Sequence, residues 1–405
     1  MINTTNDIPE TSYVNAKVSD DILLSSYVNG QHLAIATPFS LLYSSLMDEV
    51  AKGTVNRIIN ENGDLELFSY SIQCQFEGSW NKYNLLARGL VLCPQKEQVI
   101  ALTYPKFFNY GECSLYIPNE PFETTGKMDG SLGIIYFWDN DWKVNTRGSF
   151  KSEQAIWAKN WLDKNVDTNI LKPGVTYLVE IIYKENKIVI PYDYEGLVYL
   201  TLYTKTGYEP KDYDGLSKLF MKKAGFLLTK VHSYNSIEEM IEVAKKLPYT
   251  EEGFVIRFKN GYRIKIKSDD YVRIHRLISN VKPLFIWECM MKGDDLKKIR
   301  TELPEEMLSD FDQIHDILKN KFYDIVEEVD ETYDKLSHLS DKDLGLWIKE
   351  NPERINNLLF LVRKKNLLID AFHGGSKMRK RIFEMFRPTG NVLEEYTPST
   401  IMNRF

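Results

Sequence analysis

The feature that most restricts this chain is a change of texture near residue 275. Before it, short β-branched and aromatic runs recur between turn residues. Leu132–Trp138 and Trp142–Thr146 flank Asp139-Asn140-Asp141, and Val175–Tyr183 and Lys187–Tyr192 flank Lys184-Glu185-Asn186. Gly253–Phe258 and Tyr262–Lys267 flank Lys259-Asn260-Gly261. Runs closed in this way predict antiparallel hairpins. Helices are predicted between them at Ser152–Val166, Lys211–Ala224 and Ser236–Leu247, the last opened by a capping box of Ser236 and Glu239. After about residue 280 the strand signal stops. From Pro304 to Leu336 apolar residues fall mostly three or four apart, which predicts one long amphipathic helix with proline near its first turn. Leu344–Lys349, Arg354–Ala371 and Lys377–Phe386 read as further helices. At 405 residues the chain exceeds one ordinary core. The reading is therefore α+β: an antiparallel-sheet domain over 1–278, least defined over 1–80, then an all-α domain over 279–405.

Several function classes are disfavoured. No apolar run approaches the roughly 20 residues of a membrane span, and the N-terminus has neither the basic start nor the apolar stretch of a signal peptide. Cys74, Cys93, Cys113 and Cys289 lie far apart and read as reduced thiols of a cytoplasmic protein (host cytoplasm, if viral). His32, His232, His275, His315, His338 and His373 show no metal-ligand spacing. No GxxxxGK[ST] string occurs, which disfavours a linked kinase. A net charge of −6 argues against a nonspecific nucleic-acid coat. Basic stripes at Arg257–Lys282 and Lys377–Arg381 instead suit a phosphate ligand held in a groove, although any single stripe is more commonly a solvated face.

The informative string is Thr125-Gly126-Lys127-Met128-Asp129-Gly130-Ser131, just before a predicted strand. A lone KxDG is weak, expected by chance in roughly one chain in ten, and could be a plain turn. Its company in fixed order makes it stronger. Arg88-Gly89 leads an apolar run upstream, and Pro105-Lys106-Phe107-Phe108-Asn109 follows. Beyond the lysine come Thr146-Arg147-Gly148-Ser149-Phe150-Lys151, then Glu180 in an apolar strand, Glu251-Glu252-Gly253, and Lys265-Ile266-Lys267. Lys265 and Lys267 share one strand face, so both ammonium groups can reach one phosphate. Glu251 and Glu252 point opposite ways in a strand, and Glu252, directly before Gly253, is the choice for the site.

This ordered set resembles the covalent nucleotidyltransferase superfamily of polynucleotide ligases and mRNA capping enzymes. More narrowly, it resembles the RNA ligase 1 family typified by tailed phages, through KFFN, GSFKSEQA, ENKIVIPY and EEGFVIRFKNGYRIKIKSDDYV. The resemblance covers roughly residues 80 to 275 and hardly touches the helical C-terminus. It implies an ATP-grasp-like ligase domain that attaches AMP to Lys127, passes it to an RNA 5′-phosphate, and seals to a 3′-hydroxyl. It further implies ATP and Mg²⁺ (with Mn²⁺ able to substitute) as cofactors. Lys127, Lys265 and Lys267 would be catalytic, with burial, the two cations and a bound Mg²⁺ helping to deprotonate Lys127. Arg88, Lys106, Asp129, Gly130, Glu180, Glu252, Lys265 and Lys267 would bind the nucleotide. Glu180, Glu252 and Asp129 would hold the metal, largely through water. Arg147 departs from the lysine those enzymes share. Lys377, Arg379, Lys380 and Arg381 are RNA-binding candidates in a C-terminal domain that tunes substrate choice. The expected partner is RNA with 5′-phosphate and 3′-hydroxyl ends, for a monomer working in RNA (tRNA) repair beside a separate end-healing kinase/phosphatase. The rival readings are a DNA ligase or guanylyltransferase, which would append an OB-fold barrel, and a noncatalytic RNA-binding relic.

Overall fold

The computed structural model describes residues 25–112, 117–210, 216–303, 305–353, 355–364, 371–374, 376–389 and 392–398. The extreme N-terminus, Cys113, the first turn of the helix predicted from Lys211, and Pro304 and Arg354 lie outside these residues. So do residues 365–370 of the helix predicted to reach Ala371. The chain divides into two compact units, 1–272 and 273–405.

In the first unit β1 (Tyr27–Val28) and β2 (Gln31–His32) form a short hairpin, and β3 (Val55–Ile59), β4 (Glu66–Tyr70), β5 (Arg88–Cys93) and β6 (Gln98–Ala101) form a meander. The later strands are β7 (Phe108–Asn109), β8 (Phe122–Gly126), β9 (Ser131–Trp138), β10 (Asp141–Thr146), β11 (Thr176–Ile182) and β12 (Gly196–Tyr203). They continue with β13 (Leu227–Leu228), β14 (Val231–His232), β15 (Gly253–Phe258) and β16 (Arg263–Lys267). These make two five-stranded sheets, ordered β10-β9-β11-β12-β13 and β14-β8-β15-β16-β7. The β9–β10 hairpin turns on Asp139 and Asn140, both at positive φ, where short polar side chains are tolerated. The β15–β16 hairpin forms as predicted, with Gly253 opposite Lys267.

One predicted hairpin does not form. The run from Lys187 to Tyr192 alternates like a strand yet joins no ladder; β11 pairs instead with β9 and with β12. The backbone amides of Val189 and Ile190 donate to one carboxylate oxygen of Asp129, at 2.8 and 2.9 Å. A charge-assisted pair of bonds to a buried carboxylate outweighs two ladder bonds. The run is thus drawn into the turn that carries Lys127.

The apolar faces bury as the patterns require. Leu67, Leu90 and Val91 of the meander pack with Ile134 of β9, while Ile135, Val179 and Leu197 face the helix Glu153–Asn165. Ser152 caps that helix, its hydroxyl accepting from the Ala155 amide. Ser236 likewise caps Ile237–Ala244 by accepting from the Glu239 amide, and that helix covers Phe254, Ile256 and Ile264. In the second unit every named element is a helix, including Glu305–Leu336 of 32 residues. Met307, Phe311, Ile314, Leu318, Phe322, Ile325 and Val329 form its buried stripe. No described helix is long and apolar enough to cross a membrane.

Candidate active site

Lys127 lies on the four-residue connection between β8 and β9, where the chain leaves one five-stranded sheet for the other. Backbone bonds hold the connection on both sides. The Gly126 amide donates to the Lys230 carbonyl at 2.9 Å, and the Lys127 amide to the Gly253 carbonyl at 2.8 Å. Gly130 closes it; a Cβ there would lie 2.6 Å from the Ile181 carbonyl oxygen, so only glycine lets the turn lie against β11.

The ammonium of Lys127 donates to Glu252 Oε2 at 2.6 Å, and Lys267 contacts Oε1 of the same carboxylate at 2.9 Å. Glu252 is buried, whereas Glu251 faces solvent. Burial pushes Lys127 towards neutrality, but Glu252, Glu180 and Asp129 outweigh it and hold its pKa above the ordinary lysine value. Burial pushes Glu252 up, and Lys127 and Lys267 more than reverse this, so it stays below the usual carboxylate range. The deprotonation expected of Lys127 has to overcome these carboxylates. In the protein alone the carboxylates win, and Lys127 is a paired ammonium.

Asp129 also differs from expectation. One oxygen takes the Val189 and Ile190 amides, and the other accepts the Tyr271 hydroxyl at 2.8 Å. Its own amide donates to Tyr192 Oη at 2.9 Å. With 4% exposure and both oxygens engaged, this carboxylate ties the Lys127 turn to the 189–190 segment and Tyr271. Glu252 is likewise committed to two lysines, and no cluster of three metal-ligating side chains occurs among the described residues. Of the three candidate metal-holding residues, Glu180 has the fewest partners within the protein. It is half-buried on β11 without a hydrogen bond among the described residues, and burial pushes it up to about 7. Such a carboxyl gains from a cation that stabilises its charged form.

Lys265, Arg88, Lys106 and Arg147 around this site carry no ion pair among the described residues. Lys265, between the Glu252-paired Lys267 and the Glu209-paired Arg263 on one face of β16, is pushed down to about 7, first by burial and then by Lys106, Lys127 and Lys267. Arg88 opens β5, and its Nη1 is buried without an acceptor. Its guanidinium lies 4.7 Å from the Tyr104 ring centre and 5.3 Å from that of Phe107. Lys106 sits over Tyr70, Trp80 and Phe108 at 5.2 to 5.6 Å, and Arg147 over Tyr70 at 4.6 Å. Burial raises the Tyr70 phenol, but Lys106, Arg88 and Arg147 together bring it below its ordinary value. Aromatic faces thus seat these cations without cancelling their charge. A guanidinium nitrogen without an acceptor and a depressed lysine are groups that an anion would stabilise.

Sequence reasoning named Lys127, Glu180, Glu252, Lys265, Lys267, Arg88 and Lys106, and missed the aromatic seats. Tyr104 and Phe107 flank Lys106, and Tyr271 follows Lys267 by four residues, so their neighbours signalled them. Tyr70, 57 residues before Lys127, had no local signal. Of the C-terminal candidates, Lys377, Lys380 and Arg381 are exposed on the helix Lys377–Glu384. Arg379 is not an RNA contact. Its guanidinium donates to the Met290 carbonyl at 2.6 and 2.8 Å and to the Ala371 carbonyl at 3.1 Å, stacked on Phe322 and Phe383.

A family model described as RNA ligase matches residues 86–271, the segment that holds nearly the whole of this site. Over these residues the chain is similar to the RNA ligase family. An RNA ligase of Rhodothermus phage RM378 is 23% identical over 340 residues, covering 62% of this chain and 77% of that protein. A relative from Autographa californica nuclear polyhedrosis virus, described as a bifunctional polynucleotide kinase/RNA ligase, is 29% identical over 236 residues. That match covers 51% of this chain and 33% of the relative, so the chain spans about a third of the viral protein's length. Among solved structures, form 2 of an archaeal ATP-dependent RNA ligase is 14% identical with a TM-score of 0.44, covering 71% of this chain and 83% of that one.

Proposed function

We propose that this protein belongs to the RNA ligase family and is an ATP-dependent RNA ligase working through a lysyl–AMP intermediate. The observation that carries the reading is the juxtaposition of a carboxylate-paired Lys127 with a basic pocket containing four cations without ion pairs. The nitrogen of Lys127 attacks the α-phosphorus of ATP; the N–P bond forms as the P–O bond to pyrophosphate breaks. Glu252, 2.6 Å away, is in place to take the proton the ammonium must give up. Lys265, Arg88, Lys106 and Arg147 offset the charge of the departing pyrophosphate. An oxygen of an RNA 5′-phosphate then attacks the same phosphorus and releases Lys127. Finally a 3′-hydroxyl attacks the 5′-phosphorus, forming the phosphodiester and releasing AMP. A divalent cation, Mg²⁺ or Mn²⁺, held by Glu180 and water would add positive charge beside the α-phosphate.

The helical unit, with Lys377, Lys380 and Arg381 on one exposed helix, supports RNA selection. All-helical structure after β16 among the described residues supports this reading over a DNA ligase or capping enzyme with an OB-fold. We assign the natural substrate to the class of broken RNAs, tRNA included, with cytoplasmic repair supported by end-healing enzymes. ATP against GTP as label donor, and single-stranded RNA against nicked DNA as acceptor, tests the reading. GTP labelling or sealing of DNA alone would overturn it.

Two consequences are measurable. Lys265 loses its proton near pH 7, so pyrophosphate affinity should fall as pH rises from 6.5 to 8.5, beyond the change from pyrophosphate's own titration. Lys265→Arg stays charged and should remove that additional fall, by roughly fivefold to tenfold at the alkaline end in calorimetry. Replacing Lys377, Lys380 and Arg381 together with alanine should weaken RNA binding about tenfold or more at low salt and flatten its salt dependence, with lysyl–AMP formation unchanged. Arg379→Ala should instead lower the melting temperature.

A further inference from the structure

Tyr104, 8% exposed in the segment between β6 and β7, has two guanidinium groups over its ring. Arg88 lies 4.7 Å and Arg263 5.0 Å from the ring centre. The two arginines differ in a way that decides their roles. Arg263 is buried and ion-paired with buried Glu209, and its remaining bonds go to the Gly261 carbonyl at 3.1 Å and the Tyr27 hydroxyl at 3.3 Å. Glu209 is itself held by the Thr201 hydroxyl at 2.6 Å and lies 3.3 Å from Arg257 Nε. Arg88 has no carboxylate partner among the described residues and keeps a buried Nη1 without an acceptor.

Two uncompensated guanidinium groups on one ring would repel each other. Glu209 removes that repulsion by neutralising Arg263, so the Arg263 contact fixes the ring and the Arg88 contact remains favourable. A desolvated cation–π contact can hold a long side chain in one direction while leaving its charge available to a ligand. A carboxylate in the same place would hold Arg88 but cancel that charge.

Resting on the ligase reading above, we propose that Tyr104 is a positioning residue: locked by the Glu209–Arg263 pair, its ring aims Arg88 at the pyrophosphate that leaves when Lys127 takes AMP. Tyr104 does not touch the reacting atoms. Its influence falls on the one step of the reaction that expels pyrophosphate. Sealing of RNA supplied with its 5′ end already adenylylated expels AMP instead, and is largely independent of it.

The test uses the full-length enzyme with Tyr104→Leu, Tyr104→Phe, Arg88→Ala and the double variant Arg88→Ala/Tyr104→Leu. Tyr104→Leu should lower kcat/KM for Lys127 adenylylation about 10- to 100-fold, the scale of an ångström's misplacement. Tyr104→Phe, which keeps the ring, should stay within about threefold of wild type. The double variant should be no slower than Arg88→Ala, because the ring acts through that arginine. Sealing of pre-adenylylated RNA by the Tyr104 single variants should stay within about threefold of wild type. If Tyr104→Leu does not fold, Tyr104→Met fills similar space without a π face and carries the same comparison. Additive losses in the double variant, equal loss in both reactions, or no loss in the ring-less variants would overturn the proposal. Failure of the ligase reading is distinguishable, since wild-type enzyme would then form no lysyl–AMP at all.

Discussion

Lys127→Ala should form no protein–AMP adduct and join no RNA ends, a loss of roughly a thousandfold or more, the scale on which removal of a covalent nucleophile acts. The fold should survive. Glu252 keeps Lys267 at 2.9 Å, and the backbone bonds from Gly126 and Lys127 do not involve the lost side chain. The check is α-labelled ATP with a divalent metal, followed by denaturation, alongside intact-mass measurement before and after pyrophosphate to reveal enzyme purified with AMP attached. Sealing at the wild-type rate by Lys127→Ala would remove the lysyl–AMP mechanism. Sealing of pre-adenylylated RNA by the same variant should persist, because that step needs no nucleophile from the protein.

The second large effect is expected at Glu252. Glu252→Ala leaves the ammonium groups of Lys127 and Lys267 without their shared carboxylate. Breaking one side of a buried ion pair costs about 3–5 kcal/mol, so the melting temperature should drop markedly and adduct formation should fall by about two orders of magnitude or more. The pH dependence separates this from a general loss of packing. Glu252 is depressed in the fold, so its contribution is present above the ordinary glutamate range and lost as pH falls through its lowered pKa. Lys127 is raised, so its contribution is present below the ordinary lysine range and lost only as pH rises through its raised pKa. The wild-type pair therefore stabilises across neutral pH, and the difference in melting temperature between wild type and Glu252→Ala should be greatest there and shrink towards acid. A difference that stayed constant to pH 3 would mean that the pair is not what the substitution removes.

Much of this site was legible because its charged members come from short strings whose spacing follows simple geometry. Lys265 and Lys267 share a strand face because they are two apart, and Glu252 falls opposite them because the β15–β16 hairpin sets its register. The unit division at 272/273 lies inside the helix Asp269–Asn280, a few residues before the change of texture in the sequence. What could not be read was the balance between competing partners. Asp129 looked like a metal ligand because its type and position allow it; only the fold shows that two amides and a phenol have taken its oxygens. The alternation at Lys187–Tyr192 signalled a strand, and the same backbone amides were claimed by that carboxylate instead. The N-terminal meander and the aromatic seats depend on contacts between distant segments, such as Tyr70 with Arg147, which no local window contains.

The post that holds the Lys127 turn has a consequence for how the molecule comes into being. Asp129 is satisfied by residues 189, 190 and 271, and the neighbouring backbone bonds come from residues 230 and 253. None of these partners lies closer than 60 residues to Asp129 along the chain. Bringing such remote segments together is slow, because loop closure must precede the contacts that reward it. On a ribosome, Lys127 emerges about 140 residues before the last hydroxyl that steadies its turn. A nascent chain halted before Tyr271 therefore carries the whole lysine motif while lacking the geometry that makes the lysine chemically distinct, so reactivity arrives only as the sheet domain is completed.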